Sequence, residues 1–296
     1  MTAIHSGLKM LTEGHIRRAC RLAHLRMSNR RPSYYYSCDV TDDSPSRLRE
    51  LYISQSHSFA HSATPPSVTT LLSTNRPDRV VPTLRMLARQ IGVQLNVVVA
   101  THGFSAEEYM SSQIALDLSV TWLSPSKDLT LGQIYNQILD YADTDFVAKI
   151  DDDDWYGDEY LISSIAAITT SGADITGKNA IFVYSQAHDQ VFIRMPHKHH
   201  RFVFSVAGGT IVARTDIAQR TGFRPLTLGE DQDFLTRAFD SGARIYSSSP
   251  FGYVYRRGSH NTWNPENDAF LTGATLIHGG LPGAYECVRD EDAPYA

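Results

Sequence analysis

From Ser67 onward, short apolar runs alternate with stretches whose apolar residues recur at helical spacing, and few folds accept that alternation. "SVTTLLS" and "QLNVVVA" are rich in β-branched residues, and "DLSVTWLS" and "DFVAKI" follow the same pattern. Between and after them come "NRPDRVVPTLRMLARQIG", "SAEEYMSSQIA", "LGQIYNQILDYA" and "GDEYLISSIAAITTS", each with the periodicity of an amphipathic helix. Buried strands separated by helices predict a mostly parallel central sheet covered on both faces, an α/β Rossmann-like domain. The second half is less regular. There "AIFVYS" and "QVFIRM" are spaced to pair as a hairpin, followed by "GTIVAR", a helix over residues 231–241, and "ARIYSS".

Composition bounds what such a domain does. With 296 residues and 42% hydrophobic content, the chain can bury the core of one large domain plus an extension. A net charge of −5 argues against a nucleic-acid partner. The charge is unevenly spread: Lys9, Arg17, Arg18, Arg21, Arg26, Arg30 and Arg31 face one early acid, Glu13. "GLKMLTEGHIRRACRLAHLRM" reads as a basic amphipathic helix, either packed on the main domain or in peripheral contact with an anionic membrane. "SHSFAHSATPPS" reads as a linker. The expected organisation is a basic helical or irregular extension over 1–65, a main domain over 66–265, and a tail over 266–296 that packs on it. Cys20, Cys38 and Cys287 are distant and odd in number, with neither a disulfide framework nor zinc spacing, which fits a reducing compartment. No apolar run approaches a membrane span and no signal peptide is evident, so the expectation is a cytoplasmic protein, with the inner face of the membrane as its second location.

Ligands of open parallel sheets bind beyond the carboxyl ends of the strands. "STNRPD", "ATHGF", "SPSKD" and "DDDDWYG" all follow expected strands. In "FVAKIDDDDWYGDEYL" four adjacent carboxylates repel one another. Capping the next helix needs one of them, Asp154, or else Asp158, and leaves Asp151 and Asp153 unexplained. Two carboxylates at i and i+2 leaving a strand can reach one hard cation, Mg2+ or Mn2+, while leaving positions open for phosphate oxygens. A second cluster, Glu230, Asp231 and Asp233, opens the helix of "GEDQDFLTRAFD". It either complements the helix dipole or supplies a general base to a crevice. "MPHKHHRF" holds His197, His199 and His200, read as a basic surface loop or as a metal site.

Taken in order, four pieces resemble glycosyltransferase family 2, with its glycosyltransferase-A fold, over residues 66–265. They are "SVTTLLSTNRPDRVVPTLRMLARQ", "LGQIYNQILDYADTDFVAKIDDDDWYGDEYL", "VAGGTIVARTDI" and "GEDQDF". The resemblance implies a nucleoside-diphosphate sugar donor, a divalent cation, and inversion at the anomeric carbon. It assigns Asp153 as main metal ligand, Asp151 to metal or ribose, Asp152 and Asp154 to support, and Asp231 as general base with Glu230 orienting it or binding the acceptor. Thr74, Asn75, Arg76, His102, Asn136, Lys149 and Asp152 fall on the donor side. Gly208, Gly209 and Thr210 fall on the acceptor side, with Trp155, Tyr156 and Trp263 placed either to stack on a sugar or to pack. Family members often add a late histidine to the metal just before Thr-Trp; here Asn261 holds that place and His260 precedes it, so either residue is a candidate. Where relatives carry Asp-Asp-Gly, this chain has Thr101-His102-Gly103, which leaves the donor base open. The acceptor is a hydroxyl on a glycan, a lipid-linked sugar or a protein. Two other readings stand beside this one: a non-catalytic sugar-nucleotide binder on the same fold, and a metal-dependent nucleotidyltransferase. The second would favour a glycine-bearing phosphate loop after the first strand, where "STNRPDR" offers Arg76 and Arg79 but no glycine.

Overall fold

The apolar runs lie where their composition requires, in the middle of the molecule. A computed structural model describes residues 64–111, 118–258 and 270–277. The expected N-terminal helix, His260, Asn261 and Trp263 lie outside these residues. β1 (Ser67–Thr74), β2 (Gln94–Thr101), β3 (Ser119–Leu123) and β4 (Phe146–Ile150) form the parallel half of an eight-stranded sheet of order β3-β2-β1-β4-β10-β6-β11-β9. β10 (Val212–Arg214) runs antiparallel to both β4 and β6 (Ile175–Gly177). β11 (Ile245–Ser247) is parallel to β6, and β9 (Arg201–Val203) closes the edge antiparallel. The reversed β10 sits between two strands whose carboxyl ends point the other way, so the turn that feeds it arrives beside those ends.

Successive strand residues face opposite sides. Leu71, Val98 and Val147 join a core with Ile134, Tyr135, Ile138, Phe223, Phe234 and Leu235. These come from α3 (Leu131–Leu139), α6 (Glu230–Asp240) and the segment after α5 (Thr215–Thr221). Leu72, Val99, Ala148 and Ile150 are equally buried and alternate with the first set. α1 (Pro77–Ala88) packs on β1, and α4 (Tyr160–Ser171) packs on β6, β10 and β11, burying Val80, Leu84, Leu87, Leu161 and Ile165. Each such side chain stabilises the fold by about 2 kcal/mol relative to exposure. The sequence predicts a longer helix at "SAEEYMSSQIA"; α2 covers Glu107–Ser111, with 112–117 outside the described residues.

The expected hairpin forms: β7 (Ile181–Ser185) pairs antiparallel with β8 (Gln190–Arg194). It belongs to a second sheet of order β13-β8-β7-β12-β5 that periodicity does not reveal. Its other strands are β5 (Trp155–Tyr156), β12 (Tyr253–Arg257) and β13 (Thr275–Leu276), the last drawn from the expected tail. No described helix is long and apolar enough to cross a membrane.

Candidate functional site

β4 delivers the four aspartates at its carboxyl end, where Asp152 and Asp153 share Arg76 while Asp151 and Asp154 have partners of their own. Asp154 turns into the protein, accepting from the Tyr253 hydroxyl at 2.5 Å and from the Arg256 amide at 3.0 Å. Burial, with Asp153 and Asp151 nearby, pushes its carboxyl well above the ordinary range. Asp152 is also buried: Thr74 Oγ1 donates to one oxygen and Arg76 Nη2 lies 2.9 Å from the other. Burial raises it to about 6 against the opposing pull of Arg76. Asp153 takes the second arm of the same guanidinium, Nη1 to Oδ2, at 3.1 Å. Asp151 pairs with the buried Lys149 Nζ at 2.6 Å, and its amide donates to Tyr156 Oη at 2.9 Å.

Tyr156 carries the link onward, donating to the Gly209 carbonyl at 2.6 Å. Gly208–Thr210 form a short 3-10 turn just before β10. A Cβ added to Gly209 would stand 2.6 Å from Asp151 Oδ2, and one on Gly208 would stand 1.4 Å from Asp231 Oδ2. Consecutive glycines therefore back onto the two carboxylates, from chain segments 80 residues apart, and only glycine leaves room for both. Lys149 serves the same junction. Burial alone would lower its pKa, yet Asp151, with Asp231 and Glu230 adding, holds it well above the usual lysine value.

A pair of residues one helical turn apart on α3 positions the second cluster. The Asn136 side chain donates to Phe223 O and accepts from Phe223 N, both at 2.8 Å. The Gly132 amide donates to Leu226 O at 3.0 Å, with Arg224 O packed where a Cβ would be. The loop so fixed leads through Gly229, at φ +80°, into α6, whose first residue is Glu230. Glu230 is buried, which raises it to about 7 despite the opposing charge of Lys149. Asp231 is half-buried and its Oδ1 accepts from the Gln232 amide at 2.6 Å.

The structure thus brings Asp151, Asp152, Asp153, Lys149, Arg76, Thr74, Gly208, Gly209, Glu230 and Asp231 into one neighbourhood. Several expected roles change. Asn136 commits its amide to Phe223, so it anchors a loop rather than facing a donor. Lys149 is buried beneath the carboxylates. Thr74 and Asp152 are engaged with each other. Thr210 is fully buried, donating to Ala207 O at 2.7 Å and accepting from Lys178 N at 2.8 Å. Trp155 is buried, its indole N–H without a partner, so it does not present a face for stacking. Neither Asp154 nor Asp158 caps α4; Asp158 pairs with Arg89 at 3.2 Å instead. Asn75 is exposed, and the His102 ring lies 3.0 Å from Lys127 O on the same rim of the sheet. His199 and His200 meet edge to face, with His197 and His200 exposed, so this segment lies at the surface. Tyr156, the third aromatic offered to a sugar face, is instead buried with its hydroxyl between Asp151 N and Gly209 O, and Lys178 is the residue that sequence reasoning missed. The capping box of Thr130 with Gln133 was an available signal for the start of α3, which carries Gly132 and Asn136.

Among the described residues no three His, Cys, Asp or Glu side chains converge as a ready-made metal cage. The donor set suits a different arrangement. Asp151 and Asp153 offer hard oxygens at the end of β4, within a carboxylate cluster that Arg76 and Lys149 only partly offset. Mg2+ and its analogues are usually held by one or two carboxylates together with substrate phosphates and water. The residues present fit that mode.

No protein-family model matches the chain, and no curated protein matches it. Solved structures do, and they define a glycosyltransferase-type α/β fold. One is a TarS fragment (residues 1–349) from S. aureus in complex with UDP, at 20% identity and a TM-score of 0.51, covering 65% of this chain and 61% of that one. The same fragment with UDP-GlcNAc matches at 20% and 0.51, covering 66% and 59%. The mannosyltransferase PcManGT from Pyrobaculum calidifontis, in complex with GDP-Man and Mn2+, matches at 14% and 0.52, covering 73% and 66%. The chain spans about three fifths of the TarS fragment it matches.

Proposed function

We propose that this protein is a metal-assisted inverting glycosyltransferase that moves a sugar from a nucleoside-diphosphate donor to a hydroxyl acceptor. One observation carries the reading: Asp151 and Asp231 back onto the consecutive glycines Gly208 and Gly209. A donor-side carboxylate and a candidate base then share one crevice. The nucleotide sugars bound by the fold neighbours are in keeping with that donor class.

In this reading Asp151 and Asp153 hold the divalent cation, which when bound offsets the charge of the departing diphosphate. Asp231 takes the proton of the acceptor hydroxyl as that oxygen attacks the anomeric carbon, and Glu230 orients the acceptor. Lys149 keeps the donor-side and acceptor-side carboxylates from repelling each other apart. The Gly208-Gly209 turn lets the acceptor approach closely. Family 2 membership and a cytoplasmic location belong to the proposal, resting on motif order and cysteine spacing.

The test uses two substitutions. Asp231→Asn should lower transfer by about 10²–10⁴-fold while leaving donor binding intact. Asp153→Ala should abolish the Mn2+-dependent thermal stabilisation given by UDP or GDP. Near-wild-type transfer by Asp231→Asn would show the base assignment to be wrong.

A further inference from the structure

We infer that Arg76 is an exchangeable counterion: in the free protein it neutralises Asp152 and Asp153, and when a divalent cation claims Asp153 it passes to the donor's diphosphate. The inference rests on the reading above, in which Asp151 and Asp153 take the cation.

The Arg76 guanidinium forks across two successive carboxylates, 2.9 Å from Asp152 and 3.1 Å from Asp153. The two contacts are not equivalent. Asp152 is the more deeply buried, and its second oxygen is taken by the Thr74 hydroxyl, so it is fixed. Asp153 is more accessible, at 11% side-chain exposure against 4%. Arg76 itself is a quarter exposed, so its head reaches the crevice. The backbone beneath it is pinned: its amide donates to Thr74 Oγ1 at 3.0 Å and its carbonyl accepts from Arg79 N at 3.1 Å. Movement is thereby confined to the side chain.

Two cations cannot share the Asp153 carboxylate without mutual repulsion. A metal arriving alone must displace the guanidinium from Asp153 and leave it half-paired. A metal arriving with a diphosphate brings anionic oxygens to which the planar fork can donate in pairs. Metal and nucleotide should therefore bind with positive coupling, and by linkage each strengthens the other equally. Arg76 is in this sense a positioning residue for both ligands.

Mn2+ titration followed by electron paramagnetic resonance, with and without UDP or GDP, reads the coupling without any turnover. In the wild type, Mn2+ alone should bind weakly and tighten by about tenfold or more when the nucleotide is present. Arg76→Gln should bind Mn2+ alone more tightly than the wild type and lose most of that coupling. Arg76→Lys, which keeps the charge but cannot span two carboxylates, should fall between them and carries the test if the glutamine variant does not fold. If bare Mn2+ affinity is unchanged or weaker in both variants while nucleotide-dependent Mn2+ binding persists, the exchange role is wrong and the metal reading survives. If Mn2+ binds neither wild type nor variant, with or without nucleotide, both ideas fail together.

Discussion

Two buried lysines grip the same glycine turn from opposite sides, and they meet opposite fates. Lys149, on β4, donates its backbone N–H to Ile211 O at 2.9 Å. Lys178, just past β6, donates its N–H to Thr210 Oγ1 at 2.8 Å and accepts from Ala207 N at 2.8 Å. Both are nearly inaccessible to solvent. Lys149 faces Asp151, Asp231 and Glu230, and stays charged. Lys178 faces the Ser249 carbonyl at 2.6 Å and the Tyr160 ring at 5.5 Å, and burial brings it down to about 7. Burial is common to both, so the carboxylates make the difference. One lysine serves a charged site, and the other fills structure behind it.

The largest expected effect breaks the first half of the comparison. Lys149→Met removes the cation that Asp151, Asp231 and Glu230 share. Removing one partner of a buried pair costs about 3–5 kcal/mol, and the partial exposure of Asp151 places this case near the low end. Denaturant unfolding in metal-free buffer should show a loss of about 3 kcal/mol. Adding Asp151→Asn should recover part of it. A cost below about 1 kcal/mol would mean that water already does the work assigned to Lys149.

Lys178→Met should behave otherwise. An unpaired buried cation exchanged for an apolar side chain of similar length is neutral or stabilising, here by roughly 1–2 kcal/mol at pH 6. The folded-state pKa lies below the unfolded value of 10.5, so the folded form binds fewer protons. Wild-type stability therefore rises with pH between about 7 and 10.5, a slope the Met variant lacks. The variant's advantage should shrink as the pH is raised. A penalty matching that of Lys149→Met would reveal an anion beside Lys178.

The parallel half of the fold was legible because β1, β2 and β4 carry runs of buried apolar residues and α1, α3 and α4 are long enough to show their period. The second sheet was not. Its strands β5 and β13 have two residues each, too short for any period, and Tyr253 and Arg257 are buried by partners distant in sequence. At the site, the acid clusters could be read as chemistry because like charges in a row need a reason. Which aspartate does what could not, since Asp154 owes its place to Tyr253, 99 residues away. Asn136 shows the converse. The resemblance put Asn136 on the donor side, whereas in the structure Asn136 and Gly132 are two loop anchors one helical turn apart.

The smallest effect sharpens the comparison from Glu230. If Lys149 belonged to Glu230 alone, the pairing would hold that carboxyl at or below its ordinary value. Burial instead lifts it to about 7, because the ammonium is shared with Asp151 and Asp231. The folded protein thus binds more protons at Glu230 than the unfolded chain does between pH 4.5 and 7, and the wild type loses stability as pH rises through that window. Glu230→Gln lacks that slope. Its stability relative to wild type should improve across the window, by on the order of 1 kcal/mol after screening, and then level off. In the Lys149→Met background the window should shift upward, since the opposing charge is gone. A window unchanged by that substitution would separate Glu230 from Lys149 and divide the acid cluster into two independent sites.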